Sequence, residues 1–232
     1  MKNTGKYEGR ETQWYLDRIE YLSEFVTGRR ADTLREKIEQ RTRYITICAE
    51  NTFHPQNASA LVRSAEAFGV QDIHTVETLC KFRPNVNIVR GSDKWVNIRR
   101  HGSTAEALRV LKSGGYRIVA TMPGKNARTP LDFDVGAGKI ALLFGTEHAG
   151  VSREVVRASD EMIQIPMCGM VESLNVSASA AILLYNLTAR IRESSSIDWQ
   201  LAEDEKAEVL FLWLMATIKD GEGVLERYGA QL

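Results

Sequence analysis

Three short polar segments carry residues whose types and spacing could do chemistry. The first, NTFHPQNASALVRSAEAFGV (51–70), puts Asn57 where a helix is expected to begin and Arg63 six residues later. Asn57 could be a helix cap and Arg63 a surface charge, the commoner fate of such residues. Alternatively both project near the C-terminal end of the preceding strand, the edge where open α/β sheets bind ligands. The second segment, LLFGTEHAGVS (142–152), follows an apolar run; Gly145 and Gly150 permit close backbone approach, and Glu147 stands between them. It does not match the phosphate-cradling GxxxxGK[ST] loop, and no GxGxxG follows a strand, so nucleotide hydrolysis and dinucleotide binding both lose ground. The third, IPMCGMVESLNVSASAA (165–181), runs from a strand end through Gly169 to Ser173, Leu174 and Asn175, which lead into a helix of small residues. Ser173 could simply cap that helix. All three segments follow expected strands, so all three could converge at one sheet edge.

The elements that must position them read as follows. Residues 11–43 suggest one or two short helices with a turn near Gly28, and 44–50 a strand. A helix over 57–68, stopped by Gly69, leads to a strand at 72–77; 78–95 is mostly loop, and 95–100 is a further strand. A helix over 104–115, capped by Ser103 or Thr104, precedes a strand at 116–121. The run 139–145, bounded by glycines, has the character of a buried parallel strand. A short helix (152–159), a strand (162–166) and a long helix (173–193) follow. Alternating strands and helices argue an α/β fold with a mainly parallel sheet. Leu210, Trp213, Leu214, Thr217 and Ile218 form one apolar stripe on a tail helix, which must bury it on its own domain or on a second copy of the chain.

The formal net charge is zero, so any nucleic-acid footprint must be local. Residues 27–43 hold six basic and three acidic side chains, 81–100 six and one, and 193–232 three and nine. Solvated surface explains most such runs; the sharper reading is a phosphate-binding face built from the first two. Cys48, Cys80 and Cys168 show no metal-ligand spacing, so no metal is expected, and Cys48 and Cys168 read as small buried hydrophobes. Nothing resembles a signal peptide or a membrane span, which makes the cytoplasm the expected compartment.

Taken together, N-x5-R-S-A-E-A-F-G, L-F-G-T-E-x-x-G and I-P-M-x-G-x-x-x-S-L-N-V-S resemble, in order and spacing, the three motifs of SPOUT-class RNA ribose methyltransferases over about Arg41–Arg192. Within that class the chain looks most like the TrmH group, which methylates the ribose of a guanosine in the tRNA D-loop. The resemblance implies a catalytic domain over 41–192 with a deep C-terminal trefoil knot, formed around 142–150 and 165–176. It is flanked by helical extensions at 1–40, expected to contact RNA, and 193–232, a possible dimer contact. It further implies S-adenosylmethionine as methyl donor, held mainly through backbone groups at Thr121, Gly145, Ile165 and Leu174, and a homodimer in which the tail stripe and helix 173–193 are interface candidates.

The resemblance places Arg63 as general base, yet a guanidinium is permanently charged and has no acceptor, so a phosphate clamp that lowers the hydroxyl pKa is the alternative. Asn57, Ser173 and Asn175 would orient the ribose and Arg63, and Glu147 would fix Arg63 or a neighbour by a charge-assisted bond. Arg29, Arg30, Arg41, Arg43, Arg90, Lys94, Arg99 and Arg100 become candidate phosphate contacts. Three rivals stand beside this: the same chemistry on ribosomal RNA, a non-catalytic RNA-binding protein of the same fold, and a small-molecule α/β enzyme.

Overall fold

The computed structural model describes residues 6–146 and 149–229, which fall into two compact units: Thr42–Trp199, and the two flanking segments, up to Arg41 and from Gln200, together.

The larger unit is a six-stranded sheet of β1 (Ile45–Glu50), β2 (Asp72–Val76), β3 (Asn97–His101), β4 (Arg117–Thr121), β5 (Ile140–Phe144) and β6 (Glu161–Ile163) in the order β3-β2-β1-β5-β4-β6. Every pairing is parallel, so all six strands end at one edge. β1, β2 and β5 are buried along their whole length, as strands covered on both faces are; β5 is a continuous apolar run, whereas β2 buries Asp72, His74 and Thr75 with it. Alternate side chains divide between two cores. Ile45, Ile47, Ile140 and Leu142 pack with α3 (Pro55–Ala67) and α7 (Val176–Glu193). Cys48, Ala141 and Leu143 pack with residues of α5 (Thr104–Ser113) and α6 (Arg153–Ala158).

Three local differences from the sequence reading have physical causes. The last strand stops at Ile163 because Gln164 donates its N–H to Arg128 rather than continuing the ladder on β4. The segment 78–95 includes α4 (Val86–Val89), nucleated by Asn85, whose side chain accepts from the Asn87 N–H. Asn57 does not cap its helix: Pro55, preset for a first helical turn, starts α3 two residues earlier. Cys168, expected to be buried, is exposed in the loop after β6, whereas Cys48 is buried.

The second unit is made by both ends of the described chain. α1 (Thr12–Ser23), α2 (Gly28–Ile38) and α9 (Gly221–Gly229) all pack on α8 (Glu203–Thr217). Of the expected stripe, Trp213 and Leu214 are buried, while Val209 and Phe211 are buried in place of Leu210, Thr217 and Ile218. α8 is apolar on nearly every side over Val209–Ala216, so several faces find partners; Phe211 meets Trp14 and Tyr15 at ring separations of 5.3 and 5.6 Å. Among the described residues no helix is long and apolar enough to cross a membrane.

Candidate functional site

The carboxyl edge of the sheet gathers most of the expected chemistry. β1 is followed by Asn51, a non-glycine residue at φ 52°, a conformation asparagine tolerates better than most. Its N–H donates to Val76 at 3.0 Å, and its Oδ1 accepts from the Leu79 N–H at 2.8 Å and the Thr78 hydroxyl at 3.0 Å, which ties the loop after β1 to the loop after β2. Beyond it α3 carries Asn57, buried in the first turn, and Arg63, exposed two turns on.

Asn175 caps α7 through Oδ1, which accepts from the Ser177 N–H at 2.8 Å and its hydroxyl at 2.6 Å. That leaves its amide hydrogens free of the cap, and Nδ2 donates to Oδ1 of Asn57 at 3.0 Å across 118 positions of sequence. The two amides thus sit in one chain of hydrogen bonds at the head of two packed helices. Arg63 is directed elsewhere: Nη1 donates to the Ile88 carbonyl at 3.1 Å, which docks it on α4. Six residues along a helix turn the side chain by roughly 240°, so Arg63 and Asn57 leave α3 on different sides. Ser173 and Leu174 are exposed in the loop before α7, alongside Met170 and Val171.

The loop after β5 is unusually tight. Thr146 and Gly150 exchange both backbone hydrogen bonds at 3.0 Å, and Gly150 has φ +66°. A Cβ on Gly145 would fall on the Gly150 carbonyl, so only glycine fits there. Thr121, at the end of β4, donates its hydroxyl to the Leu143 carbonyl at 2.7 Å, and Ile165 packs half-buried on the core beneath α3 and α7. Thr121, Gly145 and Ile165 therefore lie at or just past the ends of three neighbouring strands. Glu147 lies outside the described residues.

Of the candidate phosphate contacts, Arg29, Arg30, Arg90 and Lys94 are exposed. Arg41 needs correction: it is 3% exposed, with its guanidinium over the Trp213 ring at 5.4 Å, and a side chain so covered does not reach a phosphate. Arg43 and Arg99 flank Asp72 at 2.7 and 3.5 Å. Burial works to raise the Asp72 carboxyl pKa, but the two guanidiniums outweigh it and hold the group below the usual carboxylate range. Arg43 and Asp72 stand where β1 and β2 begin, at the edge opposite the candidate site, beside a cleft of about 270 Å³ that His74, Arg99 and Lys139 also line. Arg100 is engaged by Glu77 and donates to the Phe82 carbonyl at 3.0 Å.

Sequence reasoning passed over Glu50 and Asn51. Their partners lie 102 and 28 positions away, and an acid–amide pair after an apolar run reads only as a strand end.

Residues 44–185 match the model of the SpoU rRNA Methylase family. The chain belongs to that family. A relative from Borreliella burgdorferi, named tRNA (guanosine(18)-2'-O)-methyltransferase, is 36% identical over 88% of this chain and 93% of its own. One of the same name from Thermus thermophilus is 35% identical over 81% and 97%. Among solved structures, the TrmH/SpoU tRNA modifying enzyme of A. aeolicus is 32% identical and superimposes with a TM-score of 0.72 over 82% of this chain and 97% of that one. The family span ends inside α7, so it covers β1 to Asn175 and leaves out the helical unit.

Proposed function

We propose that this chain transfers a methyl group from S-adenosylmethionine to the ribose 2'-oxygen of a guanosine in the tRNA D-loop. The observation that carries the reading is the Asn57–Asn175 hydrogen bond at the carboxyl edge of a SpoU-family sheet. It joins two of the three motif segments into one polar centre.

The donor fits the residues present: Gly145 and Gly150 offer backbone groups with no side chain over them, and Thr121, Ile165 and Leu174 stand around the neighbouring strand ends. When bound, it supplies an electrophilic methyl on a sulfonium, a group already activated toward displacement. The protein's task is then alignment and proton removal, and alignment alone can lower a barrier by roughly 7–11 kcal/mol. Asn57 and Asn175, each fixed by the other, orient the ribose hydroxyl, with Ser173 beside them on the loop. Arg63 clamps a neighbouring phosphate and lowers the hydroxyl pKa through its charge, and the proton passes to solvent water as the oxygen–methyl bond forms and the sulfur–methyl bond breaks. Glu147 supports this group by a charge-assisted bond.

Arg29, Arg30, Arg90 and Lys94 supply exposed positive charge for the RNA backbone, with Arg99 and Arg100 as partly committed neighbours. The chain works as a homodimer: Ile182 and Tyr185, three residues apart on α7, are 41% and 67% exposed and form an apolar face suited to a second copy. The segments 142–150 and 165–176 form a trefoil knot, the expectation that the family resemblance carries. The compartment is the cytoplasm.

Incubation with methyl-labelled donor and unmodified tRNA or rRNA, followed by nucleoside mapping, tests this directly. Label in 2'-O-methylguanosine of the tRNA D-loop is expected. Label only in rRNA would move the substrate, and label on a base would sink the ribose assignment.

A further inference from the structure

We propose that Glu50, a residue in none of the three motif segments' assigned roles, is a positioning residue that sets the shape of the donor loop. This rests on the functional reading above and names how one part of that site is built.

Glu50 is the last residue of β1, one step beyond the Ala49–Phe144 pair and hence beside the point where β5 gives way to Gly145. Strand alternation turns its side chain away from α3 and toward the face carrying Cys48, into the layer of α5 and α6. There it is 5% exposed. Oε1 accepts the Thr104 hydroxyl at 2.6 Å, and Oε2 accepts the Ser152 N–H at 2.9 Å. Thr104 opens α5, and Ser152 is the cap of α6. A carboxylate between two helix starts is in favourable electrostatic surroundings, because both present unsatisfied N–H groups and a partial positive charge.

The bond to Ser152 has the larger consequence. Among the described residues after β5, Gly145 lies against Gly150, and Thr146 is bridged to Gly150. This stretch is held at both ends: by the β5 ladder before it, and by the Ser152 N–H on Glu50 after it. Glu50 therefore fixes where the loop exits, and with it the direction of the backbone groups that the donor meets. The Thr104 arm of the same carboxylate holds α5 and touches no part of that loop, so the two arms are separable.

The test is isothermal calorimetry with S-adenosylmethionine on the full chain, together with steady-state methyl transfer and thermal melting. Glu50→Met keeps a similar volume and removes both acceptor oxygens, which Glu50→Gln would not do, since its amide N–H could donate to the Thr104 hydroxyl while its oxygen keeps the Ser152 N–H. Glu50→Met is expected to weaken donor binding at least tenfold and to raise the donor KM in step. tRNA affinity should be unchanged, and kcat at saturating donor should stay within about threefold. Thr104→Val removes only the other arm and is expected to lower the melting temperature while leaving donor affinity within twofold. Should Glu50→Met fail to fold, Ser152→Pro deletes the same N–H, together with the hydroxyl that caps α6, at a φ of −67° that proline accepts, and must weaken the donor likewise. Donor affinity within twofold in a folded Glu50→Met, or an equal loss in Thr104→Val, overturns the assignment. Failure of the unsubstituted chain to bind donor overturns the functional reading itself.

Discussion

Replacing Asn175 separates its two jobs. Its Oδ1 caps α7 and its Nδ2 holds Asn57, so Asn175→Asp keeps the first and destroys the second. A negative charge at the start of an 18-residue helix is favourable by about 0.3–1 kcal/mol, which offsets the roughly 1 kcal/mol of the lost neutral hydrogen bond. The melting temperature should therefore move by no more than about 2 °C in a unit of this size. The Asn57 amide, however, must turn over to offer its own N–H to the new carboxylate, and it then shows the ribose an acceptor where it had a donor. A mismatched, half-buried hydrogen bond of about 1–2 kcal/mol corresponds to a loss of roughly 5- to 30-fold in kcat/KM for RNA. Asn175→Ala removes the cap as well, and should add a fall of about 2–4 °C for each kcal/mol of cap energy lost. Steady-state methyl transfer with purified tRNA, alongside calorimetric melting, reads both quantities. An Asn175→Asp protein that turns over within threefold of the unsubstituted chain would refute the coupling of these amides to the ribose.

Further outcomes follow from the same geometry. Arg63→Ala is expected to abolish methyl transfer while donor affinity stays nearly intact; wild-type turnover in the purified variant would remove Arg63 from the site. Gly145→Ala forces a Cβ onto the Gly150 carbonyl and breaks the loop's two backbone bonds, so donor affinity should fall more than tenfold by calorimetry, and unaltered affinity would show that the loop tolerates bulk. tRNA affinity should drop steeply between low and physiological salt, and Arg90→Gln with Lys94→Gln should flatten the slope by about two counter-ions; a salt-independent Kd would contradict a phosphate footprint. Burial pushes the His74 imidazole down to about 4, and it stacks on His101, which burial also pushes down. A depressed histidine stabilises the fold fully above its unfolded pKa and loses that contribution as pH falls toward the folded value. Unfolding free energy should therefore drop by about 2 kcal/mol between roughly pH 6.5 and 5. Flat urea-denaturation midpoints over that window would contradict it.

Much of this architecture was legible because local and global preferences agree. The short apolar runs of β1 and β5, too brief for a helix, read as buried strands, and Ser103 capped α5 where a cap was expected. The convergence of Asn57 and Asn175 was foreseeable only from the order of motifs, since 118 positions separate partners that no periodicity links. The basic cluster misled where charge served packing: Arg41 lies under an aromatic ring and Arg43 beside a buried carboxylate, arrangements a count of charges cannot separate from surface. Glu50 stayed hidden for the same reason in reverse, as a charge whose purpose depends on a loop a hundred residues on.

The helical unit imposes an order in time on the making of this protein. α1 and α2 leave the ribosome first, yet the face they must cover belongs to α8, which is translated only after the entire sheet. At roughly 5–20 residues per second, Leu22 and Leu34 wait on the order of ten to forty seconds for their cover. During that interval the nascent amino-terminal helices present apolar surface beside a sheet that is already folding. A truncation that removes Gln200 onward would make the wait permanent, and should leave a chain whose folding depends on chaperones.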